Sequence, residues 1–174
     1  MAPRTESPRL VAIDPDALAR ETVATLRAHV AAIALPLQPA YRVTIAPMLR
    51  PDGSPPPDDL ETNLGQTVRQ LAGFACTGDP GDWEPAEGDV AEAIAEALRA
   101  AGTPSPALSL VIDAARGRAM IAAGDAVEAR ELAALAGLSA TQVRALSRSG
   151  DLPGELPLSA EEARAWLAAR GVVT

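Results

Sequence analysis

The chain reads as all-α, mainly helical. A helical N-terminal part precedes a C-terminal part in which two short helices meet at a tight turn, with at most a minor strand near residues 41–46. Three observations carry this. Apolar residues recur at the i, i+3, i+4 spacing of one helix face through most of the sequence. Only the piece around Tyr41, Val43 and Ile45 alternates like a strand, and a lone strand has no stability without a partner. Aromatic residues make up 2% of a 174-residue chain that is 48% hydrophobic, so the core has to be built from Ala, Leu, Val and Ile, which suits close-packed helices that each bury modest area.

Residues 1–13, beginning MAPRTESPR, are polar and Pro-bearing and are expected to form a flexible N-terminus. Residues 14–124 are expected to form an acidic helical domain for dimerisation or partner binding. Asp14-Pro15 reads as a cap followed by proline at the first helical position. Leu18, Val23, Leu26, Val30 and Ile33 then line one face, and the helix should stop near Leu35, before Pro36. Pro51–Pro57 reads as a loop. Leu64, Val68, Leu71 and Phe74 mark a helix over about 60–74. The turn-rich, acidic stretch Thr77–Glu87 holds Trp83, read as a plug over the helices. Val90, Ile94 and Leu98 mark a helix over 89–101, closed by Gly102 and Pro104. Ser105 caps a further helix over 106–123, with Leu108, Val111, Ile112, Ala115, Ala119 and Ala122 inward.

Positive charge is entirely Arg. With the heavy use of Ala, Pro and Gly, this fits a GC-rich bacterial coding sequence. The net charge is -8, and it is unevenly placed: residues 1–103 hold eight Arg and fifteen acids, residues 104–174 seven Arg and eight acids. The C-terminal part is thus nearly neutral. A single cysteine, Cys76, rules out an internal disulfide and reads as a small buried residue. No N-terminal stretch resembles a signal peptide, and no apolar run reaches the length of a membrane span, so the expectation is a cytoplasmic protein with no membrane contact.

The chemistry of an enzyme is missing from the pattern. There is no phosphate-cradling Gly loop, dinucleotide fingerprint or nucleophile elbow. His29, the sole histidine, has no second ligand in reach and reads as a surface residue. Asp58-Asp59 and Glu161-Glu162 are sequence neighbours that point apart on a helix, and the latter sit in a first turn, where acids favour the dipole. The expectation is therefore no catalytic residue, no metal and no cofactor.

The segment Glu128–Arg148, EARELAALAGLSATQVRALSR, is built as a helix-turn-helix, and residues 125–174 are expected to form a DNA-binding domain around it. Ala133 falls where the two helices cross and must be small. Gly137 falls where the chain needs a left-handed residue. Leu138 tucks under the turn and Ser139 caps the second helix. Val143 and Leu146 point back at Leu132 and Leu135. A second helix laid in a major groove would present Ser139, Thr141, Gln142, Arg144 and Arg148. Gln142 can pair with adenine and Arg144 with guanine through two bonds each, while Ser139, Thr141 and Arg148 suit phosphate.

After this motif the chain continues Ser149-Gly150-Asp151-Leu152-Pro153, then a capping box from Ser159 to Glu162, then Trp166, Leu167 and Gly171. Over residues 126–172 this resembles the helix-turn-helix of the MerR and excisionase-like families, in which an SG-x-LP step leads to a wing and a Trp-bearing helix. The resemblance implies a DNA-binding transcriptional regulator. In those families the wing is a β-hairpin with basic residues on phosphate; here Gly154–Leu158 is too short for two strands and carries only Glu155. A weak, nearly neutral reading head needs a second copy, so a homodimer on double-stranded DNA is expected. The alternative is an acidic helical adaptor (an antitoxin, anti-repressor or phage packaging component) that keeps the motif as scaffold and takes a protein partner on its N-terminal part.

Overall fold

A computed structural model describes residues 10–41, 63–79 and 85–172, and seven α-helices make up nearly all their regular structure. In order they are α1 (Pro15–Tyr41), α2 (Asn63–Thr77), α3 (Pro85–Ala100), α4 (Pro106–Ala123), α5 (Ala129–Ala136), α6 (Ala140–Ser149) and α7 (Ala160–Ala168). The all-α class stands. The expectations for Val43, Ile45, the Pro51–Pro57 loop, Asp58, Asp59 and Trp83 lie outside the described residues, as do those for residues 1–9 and for the side chains of His29, Val30, Ile33 and Val90.

The first helix starts as its sequence dictates. Asp14 Oδ1 accepts from the backbone N–H of Asp16 at 2.9 Å and of Ala17 at 3.3 Å, meeting donors the first turn cannot satisfy itself. Leu18 and Val23 are buried and Leu26 half-buried, joined by Ala19 and Thr22. Three details differ from expectation. Leu10–Ala12 form a 3-10 turn, and Leu10 and Ile13 pack on the core, so this end of the N-terminal segment is anchored by its apolar residues. The helix does not stop at Leu35 but runs through Pro36 and Pro39 to Tyr41. A proline inside a helix costs about 3 kcal/mol, a penalty that a long helix can carry. Tyr41, expected in a strand, is therefore helical.

Helix α4 organises the rest. It packs against α2, α3, α5 and α7, and one apolar cluster passes through it from Leu18 in α1 to Leu167 in α7. Its bounds match expectation: Ser105 Oγ accepts from Leu108 N–H at 3.2 Å, and Gly124 closes the helix at φ 83°. Leu108, Val111, Ile112 and Ala115 are buried, Ala119 is half-buried and Ala122 is exposed. Ala122 departs from expectation because the buried stripe of α4 passes through Gly117, Arg118 and Ile121.

Arg118 is the unexpected core residue, 7% exposed. Its Nε donates to the carbonyl of Ala75 at 2.8 Å and its Nη2 to that of Cys76 at 3.2 Å. These carbonyls belong to the last turn of α2, which has no intrahelical donors for them and carries the negative end of the helix dipole. A guanidinium from α4 thus caps α2. Burial pulls the Arg118 pKa down and pushes the neighbouring Cys76 thiol up, the cation partly opposing the second shift.

Candidate nucleic-acid interface

The turn between α5 and α6 is assembled from small residues at the positions where the chain needs them. Ala133 is buried, and its carbonyl accepts from Leu138 N–H at 2.9 Å as the chain reverses. Gly137 adopts φ 66°, which a side chain would make costly. Beneath the turn, α5 approaches α4 so closely that a Cβ on Gly117 would stand 2.9 Å from Leu135 Cδ1 and 3.0 Å from Glu131 Cβ. Glu131 is itself buried there, with Oε2 lacking a hydrogen-bond partner.

Helix α6 is fixed at both ends. Ser139 Oγ accepts from Gln142 N–H at 3.2 Å, and Gln142 Oε1 accepts from Ser139 N–H at 2.8 Å, a complete capping box. Sequence reasoning found the box at Ser159–Glu162 but not this one, although S-x-x-Q is the same signal. At the other end Gly150 turns left-handed, and Asp151 N–H reaches the carbonyl of Leu146 at 2.9 Å.

Helix geometry then decides which side chains face outward. Val143 is fully buried and Leu146 and Ala140 half-buried on the same side. At about 100° per residue, Thr141, Ala145 and Arg148 lie within roughly 40° of the opposite side. Gln142 and Arg144 fall on the two flanks, each about 100° from Val143. Ser139, Thr141, Gln142, Arg144 and Arg148 are all exposed. The structure brings Arg144 and Arg148 together one turn apart, with Arg148 Nε donating to the Arg144 carbonyl at 3.3 Å. It does not bring Gln142 beside Arg144. Ala145, at the centre of the face, leaves room for close approach. Among the described residues neither Arg144 nor Arg148 has an acidic partner within ion-pair distance, and Asp151 is engaged by the Ser149 hydroxyl.

The link to α7 forms no hairpin. Residues 152–157 are a run of bends in which Leu152 is buried and Glu155 exposed. Leu158 then pairs antiparallel with Val127, through Val127 N–H to Leu158 O at 2.7 Å and Leu158 N–H to Val127 O at 3.1 Å. Both residues are fully buried. Sequence patterning could not reveal a bridge of one residue per side. Ser159 and Glu162 close their capping box, and the hydroxyl and backbone N–H of Ser159 hold the Glu162 carboxyl below its ordinary pKa. Trp166 and Leu167 face inward, with the Arg170 guanidinium 4.2 Å from the Trp166 ring centre. The turn that follows α7 ends at Gly171, φ 76°.

A second concave surface lies between α3, α4 and α5, lined by Glu92, Glu96, Arg99, Ser109, Arg116 and Arg130. Its cations are matched by carboxylates: Arg99 with Glu96, Arg116 with Glu92, and Arg130 with Asp113 at 2.7 Å. The hydrogen bond that Arg130 Nε donates to the Asp113 carboxylate raises the Arg130 pKa further. This surface is electrostatically self-satisfied, in contrast to the edge of α6. Among the described residues no three His, Cys, Asp or Glu side chains gather in a metal-binding arrangement, and no helix is long and apolar enough to cross a membrane. No protein-family model, curated protein or solved structure matches the chain.

Proposed function

We propose that this protein is a sequence-specific DNA-binding regulator of a bacterial cytoplasm, with α6 as the helix that enters the major groove. The observation that supports it best is the state of Arg144 and Arg148. They are exposed neighbours on a doubly capped helix and have no acidic partner among the described residues, while the guanidiniums of Arg99, Arg116 and Arg130 are paired with carboxylates. Cations left unpaired on a rigid edge suit phosphate and guanine. The order of helices and the SG-x-LP step fit the MerR and excisionase-like pattern, with the short link replacing the wing. Two copies reading together would offset the weak affinity of one nearly neutral head.

The test is selection from random duplexes by the full-length protein, followed by affinity at several salt concentrations. An enriched consensus for which the logarithm of affinity falls linearly with the logarithm of salt supports the reading. Arg144→Ala should weaken binding to that consensus by roughly 1–3 kcal/mol and relax preference at one base pair. No enrichment at low salt favours the second reading, an acidic adaptor using the motif as scaffold. Two observations speak for it: a net charge of -8, and Glu155 exposed where a basic wing would stand.

A further inference from the structure

We infer that Gln142, its oxygen held back by the capping box, leads with its Nε2 donors toward the surface α6 docks on, and therefore selects guanine rather than adenine; this rests on the DNA reading above. A carboxamide recognises adenine by accepting from N6–H and donating to N7 at once, so it needs its oxygen and its nitrogen facing the base together. Here the oxygen is held back. Gln142 Oε1 accepts from the Ser139 backbone N–H at 2.8 Å, and because an N–H needs an acceptor, this bond identifies the oxygen as the end turned back to the helix start. The reciprocal bond from Gln142 N–H to Ser139 Oγ, at 3.2 Å, holds the same loop closed from the other side. That bond uses one lone pair of Oε1 and holds the oxygen at the helix start, so Nε2, with both hydrogens unpartnered among the described residues, is the end left to turn toward a docked base.

Guanine offers two acceptors in the major groove, N7 and O6, and no donor; adenine offers one of each, thymine a single acceptor and cytosine a donor. Two hydrogens on one nitrogen match guanine best. Arg144 and Arg148 have no acceptor at all, so both flanks of the α6 face share one polarity. The bound strand should be guanine-rich opposite this helix.

The experiment starts from duplexes enriched by the full-length protein. Each enriched guanine is replaced by 7-deazaguanine, which lacks N7, and each enriched adenine by purine, which lacks the N6 amino group. Wild type is compared with Gln142→Glu, which keeps an acceptor for Ser139 N–H but offers no donor, and with Gln142→Ala. The readout is discrimination between bases, which a uniform electrostatic change leaves unmoved. At one guanine, 7-deaza substitution should weaken wild type about five- to tenfold. It should weaken neither variant further. The inference is overturned, with the DNA reading intact, if the Gln142-dependent position is an adenine that needs its N6 amino group, or if both variants keep wild-type discrimination at every enriched pair. Absence of any enriched duplex overturns the DNA reading itself.

Discussion

Gly117→Ala should destabilise the protein although it replaces glycine in the middle of a helix. In an open helix interior that substitution gains about 1 kcal/mol. Gly117 is not open: the new methyl would lie 2.9 Å from Leu135 Cδ1 and 3.0 Å from Glu131 Cβ, with the Glu131 carbonyl at 3.5 Å. Leu135 can yield only into a packed core, being 5% exposed, and a Cβ moves only with its backbone. Pushing α5 away from α4 is an overpacking change costing about 1–3 kcal/mol, so the net effect is a loss of roughly 0–2 kcal/mol. Gly73, inside α2, is the control, because a Cβ there meets nothing within 4 Å. Gly73→Ala should gain about 1 kcal/mol, which separates the two variants by about 1–3 kcal/mol. Thermal unfolding resolves this, at about 2–4 °C per kcal/mol for a chain of this size. If both variants rise in Tm by the same amount, α4 and α5 do not approach as closely as described.

Replacing the buried cap of α2 by Arg118→Met should cost about 2–4 kcal/mol in urea unfolding, because it removes charged hydrogen bonds and strands the carbonyls of Ala75 and Cys76; a loss under 0.5 kcal/mol would show that the bonds contribute little. The Ser159–Glu162 box should make stability pH-dependent in acid. Its folded pKa is lowered, so its contribution is complete above about pH 5 and is lost as pH falls through the lowered value. Glu162→Gln should flatten that dependence, and an unchanged profile would contradict it. Arg148→Ala should reduce the slope of log affinity against log salt by about 1, whereas an unchanged slope would remove Arg148 from phosphate contact.

Much of the fold was legible because its signals are local. Ser105, Gly124, Gly137, Ser139 and Ser159 mark helix ends by their own backbone chemistry, and Val143, Trp166 and Leu167 mark faces by spacing. What escaped notice depends on distant partners. Arg118 and Glu131 carry no local signal of burial, yet one caps α2 from another helix and the other lies at the α4–α5 crossing. The stop expected at Leu35 failed because a proline rule states a cost and not a prohibition. At the candidate site, exposure was legible in the sequence and local bonding was not. Exposure of Gln142, Arg144 and Arg148 was expected, whereas the loop that turns Gln142 Oε1 back on Ser139 was missed by overlooking Gln at the third position.

The pairing of Val127 with Leu158 gives the C-terminal unit a neck. The stretch between those two residues, from α5 through the bends of the link, is closed at its base by this pair and packs through α5 on α4 and α7. A stretch tied off in this way can be lengthened at its exposed bends, around Glu155, without displacing the stem from which it hangs. Its orientation is then set by α4 and α7 together.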